Sequence, residues 1–215
     1  MRLVDLSWSV ETDMPVFPGA PGVQCTAIAS LAEQGYRETE LRLTSHTGTH
    51  IDAPAHTEPE GLKLDQMEIS WFAGQALVVD CRGCAAHFGL AQLKPLYRWL
   101  KQTDFVLFYT GWDRYWNQDR YFQDYPVIET EVLTLLGKAG VRGIGLDTPG
   151  LDRVEDLTLP RHHQWLKTDG KPRLIIENLC RLDEIGAIQC GFAAWPLKWK
   201  NSDGAPVRAV AWVSE

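Results

Sequence analysis

The chain of 215 residues reads as one α/β domain built on a mixed sheet. Three observations carry that reading. Between residues 75 and 146, apolar runs of strand length alternate with segments whose apolar residues recur at helical spacing. Beyond residue 174, three more strand-like runs follow one another, which makes the C-terminal part β-rich. No Ser/Gly-rich linker, charge block, low-complexity tract or internal repeat divides the chain, and its length suits one domain over residues 1–215 with a sizeable core.

The elements follow in order. Residues 3–6 form a first short strand, and residues 14–22 a Pro/Gly-rich loop that cannot pair regularly. Residues 38–45 alternate as Glu40, Leu41, Arg42, Leu43, Thr44, predicting a half-buried strand that runs straight into the histidine-rich segment after it. Residues 75–80 are an apolar strand. In residues 90–100, Leu90, Leu93, Leu96, Tyr97 and Leu100 share one helical face, and residues 105–110 return to strand. Residues 128–139 repeat the helical pattern before a strand at 143–146. A short helix is expected over 161–167, just after Pro160, and strands over 174–179, 187–194 and 207–213. Between Gly111 and Tyr125 the chain concentrates Trp112, Tyr115, Trp116, Tyr121, Phe122 and Tyr125; these are read as loop packing or a subunit contact rather than as a substrate site.

Bulk properties exclude several function classes. A formal charge of −7 offers no basic face for a phosphate backbone, so nucleic acid is not an expected partner; a small molecule is. No signal peptide or membrane span is legible, which predicts the cytoplasm. Five cysteines, an odd number in a chain of this size, fit reduced thiols better than a disulfide framework. Cys81-Arg-Gly-Cys84 has no second C-x-x-C to complete a zinc ribbon and follows a strand-like run, so it is read as incidental thiols.

The chemistry is concentrated in His46-Thr-Gly-Thr-His50-Ile-Asp52-Ala-Pro-Ala-His56, which holds three of the six histidines. Read as an extended segment, His46, Gly48, His50, Asp52, Pro54 and His56 share one face, and Ile51 and Ala53 the other. A helix would also pair His46 with His50, but Gly48 and Pro54 cost it roughly 1 and 3 kcal/mol. A straight strand leaves the His46 and His50 backbones about 13 Å apart, near the limit for sharing one ion, so a bend is expected at Gly48. Imidazoles with a carboxylate are a ligand set for zinc, with manganese or iron(II) as alternatives.

This run resembles the H-x-G-T-H-x-D-x-P-x-H signature of the cyclase family of metal-dependent hydrolases. The resemblance continues through Asp5-Leu-Ser7, Met14-Pro-Val-Phe-Pro-Gly19, Thr110-Gly-Trp112, Gly145-Leu-Asp-Thr-Pro149, Glu177-Asn-Leu179 and Pro206-Val-Arg-Ala-Val210, spanning essentially the whole chain. It implies a compact fold with a barrel-like β core, related to swivelling β/β/α domains. It also implies two zinc ions per subunit: His46, His50 and Asp52 on one, Asp52, a helical histidine and Glu177 on the other, with Glu177 touching both. For the helical ligand, His163 is taken over His162, because Gln-Trp-Leu166 after it matches the family's His-x-x-Leu, although the loop over residues 167–173 is about two residues longer than the common pattern. His56 is left as the proton carrier, Phe17 becomes a candidate for the pocket wall, and His87 belongs to neither cluster. Where the family commonly has Asp after Pro-Gly, this chain has Ala20.

Independently of the resemblance, an acid such as Glu177 inside an apolar run needs a partner or a metal, because desolvating a charge is costly. The expected chemistry is hydrolysis of an amide-type bond by metal-activated water. The resemblance implies N-formyl-L-kynurenine as substrate and a homodimer or higher homo-oligomer. Opening of a cyclic imide or lactone is the alternative, and a non-catalytic metal-binding module a more distant one.

Overall fold

The computed structural model describes residues 1–167 and 171–213, so the extra length expected of the loop over 167–173 lies partly outside the described residues. In chain order the strands are β1 (Arg2–Asp5), β2 (Gln24–Ala29), β3 (Glu38–Arg42), β4 (His50–Asp52), β5 (Ala73–Asp80), β6 (His87–Phe88), β7 (Phe105–Tyr109), β8 (Val127–Ile128), β9 (Gly143–Leu146), β10 (Leu174–Glu177), β11 (Gln189–Pro196) and β12 (Gly204–Val213). The α-helices are α1 (Leu90–Leu93), α2 (Thr130–Ala139) and α3 (Pro160–Leu166). The helix expected over 90–100 lasts only through α1 and continues as a 3-10 helix, Lys94–Gln102. Pro95, which has no N–H to give an α-helical bond, sits at that changeover.

The main sheet runs β1-β12-β11-β5-β7-β9-β10-β4, and β4 pairs again with β12. That last pairing closes the sheet into a seven-stranded barrel with β1 flanking it. Strands β5, β7, β9 and β10 are mutually parallel, and the other ladders of this sheet are antiparallel, giving the mixed sheet that the order of elements predicts. Period-two alternation sorts the side chains. On β7, Phe105 and Leu107 fill the barrel with Leu174, Ile176 and Phe192, whereas Val106 and Phe108 face outward to pack under α1, α2 and α3 with Val132, Leu136 and Trp165.

One expectation about the approach to the site is corrected. The strand expected over 38–45 ends at Arg42, and β3 pairs only with β2, in a separate ribbon whose five β3 residues are all exposed. The aromatic-rich segment packs as a third cluster, in which Trp112, Trp116, Tyr121 and Tyr125 are buried with Met14 and Val127. Among the described residues no helix is long and apolar enough to cross a membrane. All five cysteines are free, and burial pushes the Cys81 thiol far above its ordinary range.

Candidate active site

The histidine-rich run is a strand over only three residues. Gly48 takes φ +61°, the bend expected there and a conformation that favours glycine, with Met14 Cε packed 2.8 Å from where a Cβ would stand. Strand β4 then places Ile51 in the barrel core and turns His50 and Asp52 to the other face. Pro54 opens a 3-10 turn, Pro54–His56, that folds His56 back over the site instead of continuing the strand. As a result the His46 ring centroid lies 5.2 Å from that of His50 and 4.1 Å from that of His56, far closer than an extended chain would allow.

Register brings in the second half. β4 and β10 are antiparallel with His50 opposite Glu177 and Asp52 opposite Ile175, so Glu177 emerges beside His50 at the end of its strand. On the other edge of β4, Gly204 of β12 lies opposite Asp52. A Cβ there would stand 2.5 Å from His46 Cε1, and its absence makes room for the imidazole. Both carboxylates are buried, and the Leu151 N–H donates to Glu177 Oε1 at 2.8 Å.

Helix α3 supplies the remaining ligand candidate, and it is His162, correcting the choice of His163. His162 is 5% exposed, with Nε2 3.2 Å from Glu177 Oε1 and 3.8 Å from Asp52 Oδ2. The His163 side chain is 53% exposed and faces Glu58 at 3.3 Å. Neighbouring helical residues point about 100° apart, so only one of the two can face inward. Asp152 fixes which: its carboxylate accepts from the Arg161 and His162 backbone N–H groups, capping the helix, and from His162 Nδ1 at 2.8 Å. A sequence signal was available, because His162, Trp165 and Leu166 stand at i, i+3 and i+4, and all three are buried.

A common pattern runs through the three imidazoles. His50 Nδ1–H donates to the Gly48 carbonyl at 2.8 Å, His162 Nδ1–H donates to Asp152, and His46 Nε2 meets Asp203 Oδ2 at 3.0 Å. Each ring thus commits one nitrogen to an outer acceptor and turns the other toward Asp52 and Glu177. His50 Nε2 is 3.4 Å from both carboxylates, and His46 Nδ1 is 2.7 Å from Asp52 Oδ1. Such outer acceptors orient metal-binding histidines. Asp152 and Asp203 escaped the sequence reading because they lie in loops about 100 and 150 residues downstream of Asp52, with no spacing signal.

The electrostatics call for a cation. Burial and the adjacent Asp52 push Glu177 up, but the His162 and His50 hydrogen bonds outweigh them and hold it below the usual range. Burial pulls His46 and His162 down, yet the surrounding carboxylates raise both to about 10. With neutral imidazoles, bare nitrogens would face bare carboxylate oxygens, and the buried Asp52 Oδ2 has no hydrogen-bond partner. Ligand atoms of His50, Asp52 and Glu177, and separately of His46, Asp52 and His56, all lie within 4.8 Å of one another. The donor set therefore fits divalent metal: nitrogen and oxygen only, with no thiolate. His56 is the exception among these rings, since burial, reinforced by His46 and His162, lowers its pKa despite Asp52.

These residues floor a pocket of about 400 Å³, walled by Pro15, Val16, Phe17, Phe122, Val154 and Leu159. Phe17 and Phe122 meet edge to face, with ring centroids 6.4 Å apart. His87 stands in β6, exposed and outside the pocket.

Comparison with known proteins matches this architecture. The Cyclase family, described as "Putative cyclase", matches residues 4–153. The chain is 31% identical to a kynurenine formamidase of Geobacillus thermodenitrificans, over 96% of this chain and 95% of that one. It is 34% identical to a kynurenine formamidase of Salinibacter ruber, over 98% and 97%. Its fold superposes on isatin hydrolase A from Labrenzia aggregata, solved with benzyl benzoate, with a TM-score of 0.85 at 24% identity, covering 100% of this chain and 94% of that one. With seven-tenths of its length matched by the family and near-complete alignment to these relatives, the chain belongs to the cyclase family.

Proposed function

We propose that the chain is a metal-dependent hydrolase that cleaves the amide C–N bond of N-formyl-L-kynurenine, releasing kynurenine and formate. The observation that carries the reading is the convergence of His50, Asp52, His162 and Glu177, from two distant parts of the sequence, with each imidazole held by an outer acceptor. Kynurenine formamidases at 31% and 34% identity support the substrate. His46, His50 and Asp52 would hold one zinc ion and Asp52, His162 and Glu177 a second, with manganese the alternative. When bound, a divalent ion here acidifies water and polarises a carbonyl.

The chain's own groups do the rest. Phe17 and Phe122 offer the aryl ring an apolar wall and exclude bulk water from the formyl carbon. His56, held neutral by burial, takes the proton of the attacking water and returns it to the leaving nitrogen as the C–N bond breaks. Asp52 and Glu177 stay ionised throughout, held so by the flanking histidines. A structural zinc site would close its sphere with cysteines, whereas this one opens into a pocket with no Cys in its lining.

We place with this reading a homodimer or higher oligomer, because the β2–β3 ribbon exposes Ile28, Tyr36 and Leu41, and a lone two-stranded ribbon is marginal in water. The free cysteines fit a cytoplasmic setting. The decisive assay compares formate release from N-formyl-L-kynurenine with ring opening of isatin by zinc-loaded protein. Formate release that a chelator abolishes and zinc restores is expected. Isatin opening without formate release would overturn the named substrate.

A further inference from the structure

One charged group in the pocket is used by neither the ligand cluster nor the packing. Arg153 directly follows Asp152 on the loop into α3, and among the described residues it is the one lysine or arginine that lines the pocket. Its side chain is half-buried, and its Nη2 donates only a long 3.4 Å bond to the Ala86 carbonyl. Among the described residues it has no carboxylate partner. Of the neighbouring acids, Asp152 is engaged with Arg161 and His162 and Asp156 with the Thr158 N–H and hydroxyl, while Glu155 is exposed and does not line the pocket.

The placement is specific. Arg153 belongs to the same short loop that brings Asp152, Val154 and Asp156 into the pocket lining. Phe17 and Phe122, which meet edge to face, line the same pocket. A ligand filling this cavity would strip water from the guanidinium, which is costly unless the ligand brings a compensating charge. A planar fork of donors matches a carboxylate in particular.

We infer that Arg153 binds a carboxylate on the substrate, so the site selects an aryl formamide with an anionic side chain over a neutral ring system. The inference rests on the hydrolase reading above and adds a specificity-determining residue to it. The aryl ring lies along the phenylalanine wall, the formyl group faces the ligand cluster, and the side chain returns toward the loop that carries Arg153.

The test compares kcat/KM for N-formyl-L-kynurenine and for its decarboxylated analogue in wild type, Arg153→Gln and Arg153→Lys, with melting curves to verify folding. The same variants are titrated by calorimetry with L-kynurenine and its decarboxylated amine. The expected result is a wild-type preference for the carboxylate that falls about 10- to 100-fold in Arg153→Gln, chiefly through KM, and partly returns in Arg153→Lys. A preference that survives Arg153→Gln, or equal treatment of both compounds by wild type, overturns the inference and leaves the hydrolase reading standing. Turnover of neither compound rejects the hydrolase reading, and the calorimetric preference then decides the role of Arg153 by itself.

Discussion

Replacing His162 and His163 one at a time by alanine probes the site where two neighbouring residues differ most. His162 links Asp152, whose side chain is fully buried, to Glu177, which is nearly so. Removing it leaves both carboxylates short of a partner in the interior, a loss worth about 3 kcal/mol for a broken buried pair. Asp152 still accepts from the Arg161 and His162 backbone N–H groups and from the Arg161 guanidinium, which places the cost at that lower end. Disturbing only an outer partner of a metal-binding histidine lowers affinity roughly 10- to 100-fold, so loss of the ring itself should cost at least about 100-fold. His163 is half exposed, and its contact with Glu58 is of the kind worth about 0–1 kcal/mol. Metal content after dialysis, thermal melting and kcat/KM together read the difference. His162→Ala should lose metal, melting temperature and activity, and His163→Ala none of them. Loss of metal and activity in His163→Ala, with His162→Ala intact, would refute the assignment of the inward-facing ring.

Asp152→Asn keeps the size of the side chain but turns an amide toward the donors of Arg161 and His162; metal affinity should fall about 10- to 100-fold, with a lower melting temperature. Burial lowers the His56 pKa, and a base must be neutral to accept a proton, so kcat/KM should hold as pH falls to 6.5 and decline only below it; an acid limb above 6.5 would contradict the role given to His56. Cys81 is buried with its thiol pushed up, so Cys81→Ser should retain hydrolysis and iodoacetamide should leave Cys81 unlabelled at pH 8; an inactive variant would reopen a thiol mechanism.

Much of the fold was legible from local pattern. The alternation in β7 and the helical face of α2 each record which neighbour the side chain packs against, and that record is written within a few residues. The bend expected at Gly48 is there, but the extended reading failed at Pro54, which ends a strand of three residues in a 3-10 turn. It failed again at residues 38–45, where alternation indicated a buried face but the ribbon carries β3 away from the barrel.

The amino-acid sequence alone determined that His46, His50, Asp52 and His56 lie together, because they are bound by a short stretch of chain, and it marked Glu177 as an acid out of place in an apolar strand. Only the tertiary structure decided that Glu177 stands opposite His50, that His162 rather than His163 faces them, and that Asp152 and Asp203 hold the outer edges of the rings. Strand register and barrel closure are set by packing among residues more than a hundred positions apart, and the helix rotation by the Asp152 loop that caps α3.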